Sequence, residues 1–166
     1  IWSVRDGFLG GVDSFEVVAG IIRTLPRQPE KPLLVVDIAD SIWSGSAGDS
    51  VELLRFFLEN EIAGAAVAPV VDPGAVLAGM AAGVEAEIDL MLGAKFDRLH
   101  GRPYEGKATV VHVGDGHYVN SGPMKTGVAV ETGPTVVFGI GDPEVRVVVT
   151  THPDAPIEPA IFTTNG

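Results

Sequence analysis

The sequence predicts an α/β fold: a βαβ-containing front half, a sheet with flanking helices, followed by a largely antiparallel β back half. Three observations carry the prediction. Residues 33–71 run from an apolar strand (LLVVDIAD) through a small-residue loop (SIWSGSAGDS) and a helix (VELLRFFLEN) into a second apolar strand and helix start (AGAAVAPVVDPGAV). Asp72-Pro73 has the N-cap-then-proline signature of a helix entry. Beyond Gly83, alternating and valine-rich segments separated by turn signals replace the helical period.

Each element has a local reason. Asp13 to Leu25 reads as an amphipathic helix: Asp13 and Glu16 have capping-box spacing, Phe15, Val18, Ala19 and Ile22 share a face, and Pro26 and Pro29 stop it. Leu33 to Ile38 is almost wholly apolar, the pattern of a strand covered on both faces. The next helix is expected to start at Asp49, with Glu52 three residues on and Leu53, Leu54, Phe56, Phe57 and Leu58 wrapping most of its circumference. Ala65 to Val71 is a strand, and Pro69 within it, unable to donate to a ladder, marks an edge or an early end. The helix after Asp72-Pro73 runs through Ala82 and stops at Gly83. Ala86 to Leu92, Lys107 to Val113, Val128 to Val130, Thr135 to Ile140 and Val145 to Thr151 read as strands. Asp115-Gly116 predicts a hairpin between KATVVHV and HYVNS, and GDPE at 141–144 a turn. The 166 residues are expected to form one domain, with an α/β part over 1–83, a β-rich part over 84–153 and a tail over 154–166.

Composition excludes whole classes of function. A net charge of −11 repels a phosphate backbone, so nucleic acid is not an expected partner. No apolar run reaches the ~18 residues of a membrane span. The absence of cysteine removes disulfides and thiol catalysis. IWSVRDG does not read as a signal peptide, and the lack of cysteine leaves cytosolic and periplasmic locations both open; a cytoplasmic protein is the expectation. The chain begins without Met and reads as a piece of something longer.

The candidate chemistry is sparse. The four histidines (His100, His112, His117, His152) show neither HExxH nor an i, i+4 pair, so no metal ligand is assigned to this chain; His112 and His117 would face each other across the expected hairpin. There is no GxSxG, and Ser50 reads as a helix-start residue. Asp37 and Asp40 lie at the C-terminal end of the first expected strand. Asp37 is expected to bond amides of the following loop, while Asp40 is read evenly as a turn residue or as a group that orients a ligand. The loop Ser44–Asp49 carries no Gly-Lys-Ser/Thr, and an aspartate at the helix start would repel phosphate.

In order along the chain, VVDIAD, GSAGDSVELLRFFLE, VDPGAVLAGMAAG, LGAKFDRLHGRP, DGHYVNSGPM and GPTVVFGIGDPEVRVVVTT resemble the C-terminal domain of the microcystinase C (MlrC) family, M81-type zinc metallopeptidases. The resemblance runs from about Trp2 to Thr151. It implies a parent protein that degrades microcystin-like substrates, hydrolysing amide bonds in short or linearised peptides through zinc-activated water. It places the zinc ligands in an N-terminal half, which would be this chain's partner, and leaves no catalytic residue here. Asp40, Trp43, Gly45, Gly48 and Asp49 would then shape the substrate side of the cleft. Among the departures from the family, Ser41, Ile42, Trp43 and Ser44 stand where it commonly has Asn-Pro-Gly-Gly, and only Gly45 remains of its glycine run. That departure supports an alternative, a non-catalytic ligand-binding or interaction module of the same fold. A third reading is a small-anion-binding α/β domain using the helix start near Asp49. Trp2 and Phe8 suggest an apolar surface covered by the other half or, in a homodimer, by a second copy.

Overall fold

Two units organise the chain, Ile1–Val36 and Asp37–Gly166; the computed structural model describes residues 11–26, 31–97, 99–157 and 160–164. Trp2 and Phe8 lie outside the described residues.

The first unit holds helix α1 (Phe15–Thr24). Its N-cap is Ser14, not Asp13: extended at φ −73°, Ser14 accepts a hydrogen bond from Val17 N at 3.4 Å on its hydroxyl. Leu25 returns to extended backbone ahead of Pro26 and closes the helix.

The run 33–38, expected as a doubly covered strand, forms none. Leu33, Leu34, Val36 and Ile38 are exposed, Leu34 by 79%. An apolar run states a need for burial, but a strand also needs a partner with a free ladder edge. The sheet is assembled from other segments, so the βαβ unit read over 33–71 is not what makes this fold α/β.

In the second unit a mixed five-stranded sheet has the order β1-β7-β6-β3-β2. Its strands are β1 (Ala66–Val71), β2 (Glu87–Leu92), β3 (Tyr104–Gly114), β6 (Thr135–Ile140) and β7 (Val145–Thr150). Only β1 and β7 pair in parallel; the other neighbours are antiparallel. β1 is an edge strand, as Pro69 predicts, and its register slips between Val67 and Val70. The GDPE turn joins β6 to β7.

The Asp115-Gly116 hairpin does not form. β4 (His117–Val119) leaves the main sheet and pairs instead with β5 (Ala129–Glu131) in a two-stranded sheet. His112 therefore stands opposite Val137 and His117 opposite Glu131, and the two histidines do not face each other. A two-residue turn specifies a reversal, yet the strand that follows takes whichever partner buries Tyr118.

Every residue of β6 is buried, which requires cover on both faces. Helix α3 (Pro73–Ala82) covers one: Gly79 lies so close to Phe138 and Val136 that a Cβ there would sit 2.8 Å from each. On the other face Val137 and Val148 pack with Tyr118 of β4 and Ile161 of α4 (Ala160–Thr164). Burying side chains of this size contributes roughly 1.5–3 kcal/mol each. Helix α2 (Glu52–Glu59) buries Leu54, Phe56 and Phe57. It starts later than expected, with Val51 at its cap, because Asp49 is engaged elsewhere. No helix among the described residues is long and apolar enough to cross a membrane.

Candidate functional site

Residues 40–50 form a loop closed on itself by one carboxylate. Asp40 Oδ1 accepts from Gly48 N at 3.0 Å and Oδ2 from Ser50 N at 2.6 Å. Between these anchors, Ile42–Ser44 makes a single 3₁₀ turn that ends on Gly45 at φ +86°. Gly48 has φ +72°, and a Cβ there would come within 2.6 Å of Ile42 Cδ1, so the loop can turn tightly only with glycine at this place. Its carbonyl accepts from Val71 N at 2.8 Å, fixing the loop to the end of β1. Asp37 bonds Ala39 N at 2.9 Å, the local role the sequence suggests.

Asp49 joins this loop to the one that follows β2. Its backbone carbonyl accepts from Ala94 N at 2.7 Å, and its Oδ2 accepts from Lys95 N at 2.7 Å and Phe96 N at 3.0 Å. Asp72 braces the same loop from beneath. One oxygen caps α3 at Ala75 N, and the other takes Gly93 N at 2.9 Å and Lys95 Nζ at 2.7 Å. Lys95 Nζ also donates to Met91 O at 2.7 Å.

His100 closes the cluster. Its Nε2 lies 3.0 Å from Ser46 Oγ and 3.7 Å from Asp40 Oδ1, and its Nδ1 lies 3.1 Å from Asp97 Oδ1. Burial works against a charged ring here, but the charges of Asp40, Asp97 and Asp49 and the Asp97 hydrogen bond outweigh it and raise the His100 pKa above the usual imidazole value. Asp97 is held below the ordinary carboxylate value, first by the Leu99 N–H and, against a small burial penalty, by His100.

The structure sorts the five residues expected at the cleft into two groups. Asp40, Gly48 and Asp49 build the loop: the Asp40 side chain and Asp49 are each only 4% exposed. Trp43 and Gly45 are exposed, Trp43 by 62%, with Lys125 Nζ 5.0 Å from its ring centroid. Phe96 and Leu99 are also bare, on the loop clipped beside it. The sequence reading missed His100, Asp97, Ser46 and Lys95 as members of the site. The signal that could have found the first two is Asp-x-x-His in KFDRLHG, a spacing that lets the carboxylate reach Nδ1.

The chain belongs to the MlrC C-terminus family, whose model matches residues 35–166. Microcystinase C from Sphingomonas sp. is 35% identical to it over 80 residues, 47% of this chain and 16% of that protein. The crystal structure of a "putative metallopeptidase" from Mesorhizobium sp. BNC1 matches with a TM-score of 0.84 and 31% identity, covering 99% of this chain and 32% of that one. The chain thus spans under a third of the length of either relative.

Proposed function

We propose that this chain is the part of an MlrC-type metallopeptidase that walls the substrate cleft, while a covalently linked N-terminal half holds the catalytic zinc. The observation that carries this reading is the pair of loops clipped through Asp49 and His100 and bearing the bare apolar side chains Trp43, Phe96 and Leu99. Exposed groups of this size on braced loops mark a surface that meets something else. In this reading Trp43 and Gly45 touch the peptide, Trp43 as an aromatic wall where the family resemblance leads one to expect glycine. Asp40, Gly48 and Asp49 hold that wall in place.

The substrate class is short or linearised peptides, and the reaction is amide hydrolysis, for which zinc in the parent supplies Lewis-acid chemistry. A cytoplasmic setting belongs to the same reading. The test is steady-state hydrolysis of a linear heptapeptide by the zinc-loaded parent protein. Trp43→Ala is expected to raise KM about tenfold, the equivalent of ~1.4 kcal/mol of lost contact, with kcat within about twofold. Unchanged KM and kcat would overturn the cleft-wall role. Peptide binding that depends on Trp43 but yields no product would identify a non-catalytic binding module instead, the reading favoured by the altered Ser41–Ser44 segment.

A further inference from the structure

Asp49 Oδ1 is buried and has no hydrogen-bond partner among the described residues, in a residue only 4% exposed. A carboxylate oxygen in that position is desolvated with nothing to compensate it. Asp49, Asp40 and His100 each offer a ligand atom, and the three atoms lie within 4.8 Å of one another. With Nδ1–H of a neutral His100 donated to Asp97, the Nε2 lone pair faces Ser46 Oγ and Asp40 Oδ1. A lone pair and a carboxylate 3.7 Å apart favour a positive charge between them, either a proton on the ring or a metal ion bound by both. Among the described residues the nearby amine is spent: Lys95 Nζ is committed to Asp72 and Met91.

We propose that Asp40, Asp49 and His100 form a site for one divalent first-row cation of the zinc or manganese kind, which clips the 40–50 loop to the loop that begins at Gly93. The donors are arranged as ligands usually are. Each aspartate is oriented by two backbone amides, and the imidazole has a carboxylate behind its second nitrogen. Two carboxylate oxygens and one imidazole suit zinc or manganese; calcium asks for six to eight oxygens and copper(I) for sulfur.

A second use of the cluster, Ser46–His100–Asp97 as a nucleophile relay, has suitable separations of 3.0 and 3.1 Å. Among the described residues no free oxyanion donor stands beside it, because the nearby Gly48 and Ser50 amides already donate to Asp40. The cation site is separate from the zinc centre that the family resemblance assigns to the N-terminal half. It also departs from the sequence reading, which gives this chain no metal ligand.

The full 166-residue chain, stripped with EDTA, is titrated with zinc chloride by calorimetry and with cobalt(II) by visible absorption. One ion per chain is expected, with cobalt d–d bands that zinc displaces and calcium does not. Asp49→Asn and His100→Ala are each expected to weaken zinc binding at least 100-fold. Asp97→Asn, acting through the ring, should weaken it about 10-fold or more. His117→Ala, beside the exposed Asp115 and Glu131, should leave it unchanged. Circular dichroism checks each fold, and if Asp49→Asn does not fold, His100→Gln decides. Absence of both heat and cobalt absorption at one equivalent overturns the site, as does binding that survives His100→Ala, binding lost in His117→Ala, or displacement of cobalt by calcium. None of these outcomes touches the Trp43 test, so the cation site and the cleft wall fail independently.

Discussion

Gly93→Ala strikes the joint between the two loops, and its cost can be worked from the structure. Gly93 has φ +68°, which a residue with a Cβ adopts at about 1–2 kcal/mol. The added methyl would overlap the carbonyl oxygen of Asp49 and stand 2.5 Å from Val51 Cγ1. Neither neighbour gives easily: the carbonyl belongs to the Asp49–Ala94 hydrogen bond, and Val51 is fully buried. Overpacking of this kind costs about 1–3 kcal/mol, for a total of about 2–5 kcal/mol. Gly45→Ala is the matched control. Its φ is +86°, but a Cβ there meets nothing within 4 Å, so it should lose only the backbone part. Urea unfolding of both variants by circular dichroism measures the difference, expected at about 1–3 kcal/mol. In thermal scans at 2–4 °C per kcal/mol, Gly93→Ala should melt ~10 °C below the wild type. If the two variants lose the same stability within about 0.5 kcal/mol, Gly93 is not wedged against Asp49 and the joint is wrongly described.

Asp72→Ala removes a helix cap and strips Lys95 and Gly93 N of their partner; a loss of about 3 kcal/mol is expected by urea unfolding, and a loss below ~1 kcal/mol would reject the bracing role. Leu54→Ala, at a fully buried position on α2, should cost about 2–5 kcal/mol through the cavity it leaves, read by the same assay. The His100 imidazole, followed by NMR in EDTA, should titrate above the usual 6.5 because its three carboxylate neighbours outweigh burial. A raised histidine pKa stabilises the fold fully below the unfolded value and loses that contribution as pH rises through the folded one. Metal-free protein should therefore weaken above neutrality, and Asp40→Asn should shrink the effect; a His100 titration at or below 6.5 contradicts the charge balance described.

The elements that were legible have local signals. Asp72-Pro73 at the start of α3, Gly83 at its end, Pro69 on an edge strand and GDPE between β6 and β7 each act within a few residues of where they stand. What failed was pairing. LLVVDI reads as a strand on hydrophobicity alone, and Asp115-Gly116 as a hairpin on turn chemistry alone, yet both depend on which distant edge is free. Asp49 reads as a helix cap because Glu52 follows at the right spacing, yet its carboxylate reaches amides 46 and 47 residues away. The site was half visible for the same reason. Asp40, Gly45, Gly48 and Asp49 lie in one short run, whereas His100 joins them only through the fold, 54 residues from Ser46.

The cleft-wall role is tested most directly by hydrogen exchange in the full-length parent protein, with and without a linear peptide analogue whose scissile amide is replaced by a non-hydrolysable methyleneamine. Amides of residues 41–46 and 93–97 should exchange about tenfold more slowly with peptide present, and Trp43→Ala should abolish that protection. Peptide binding that leaves both segments unprotected while slowing exchange elsewhere would contradict the account.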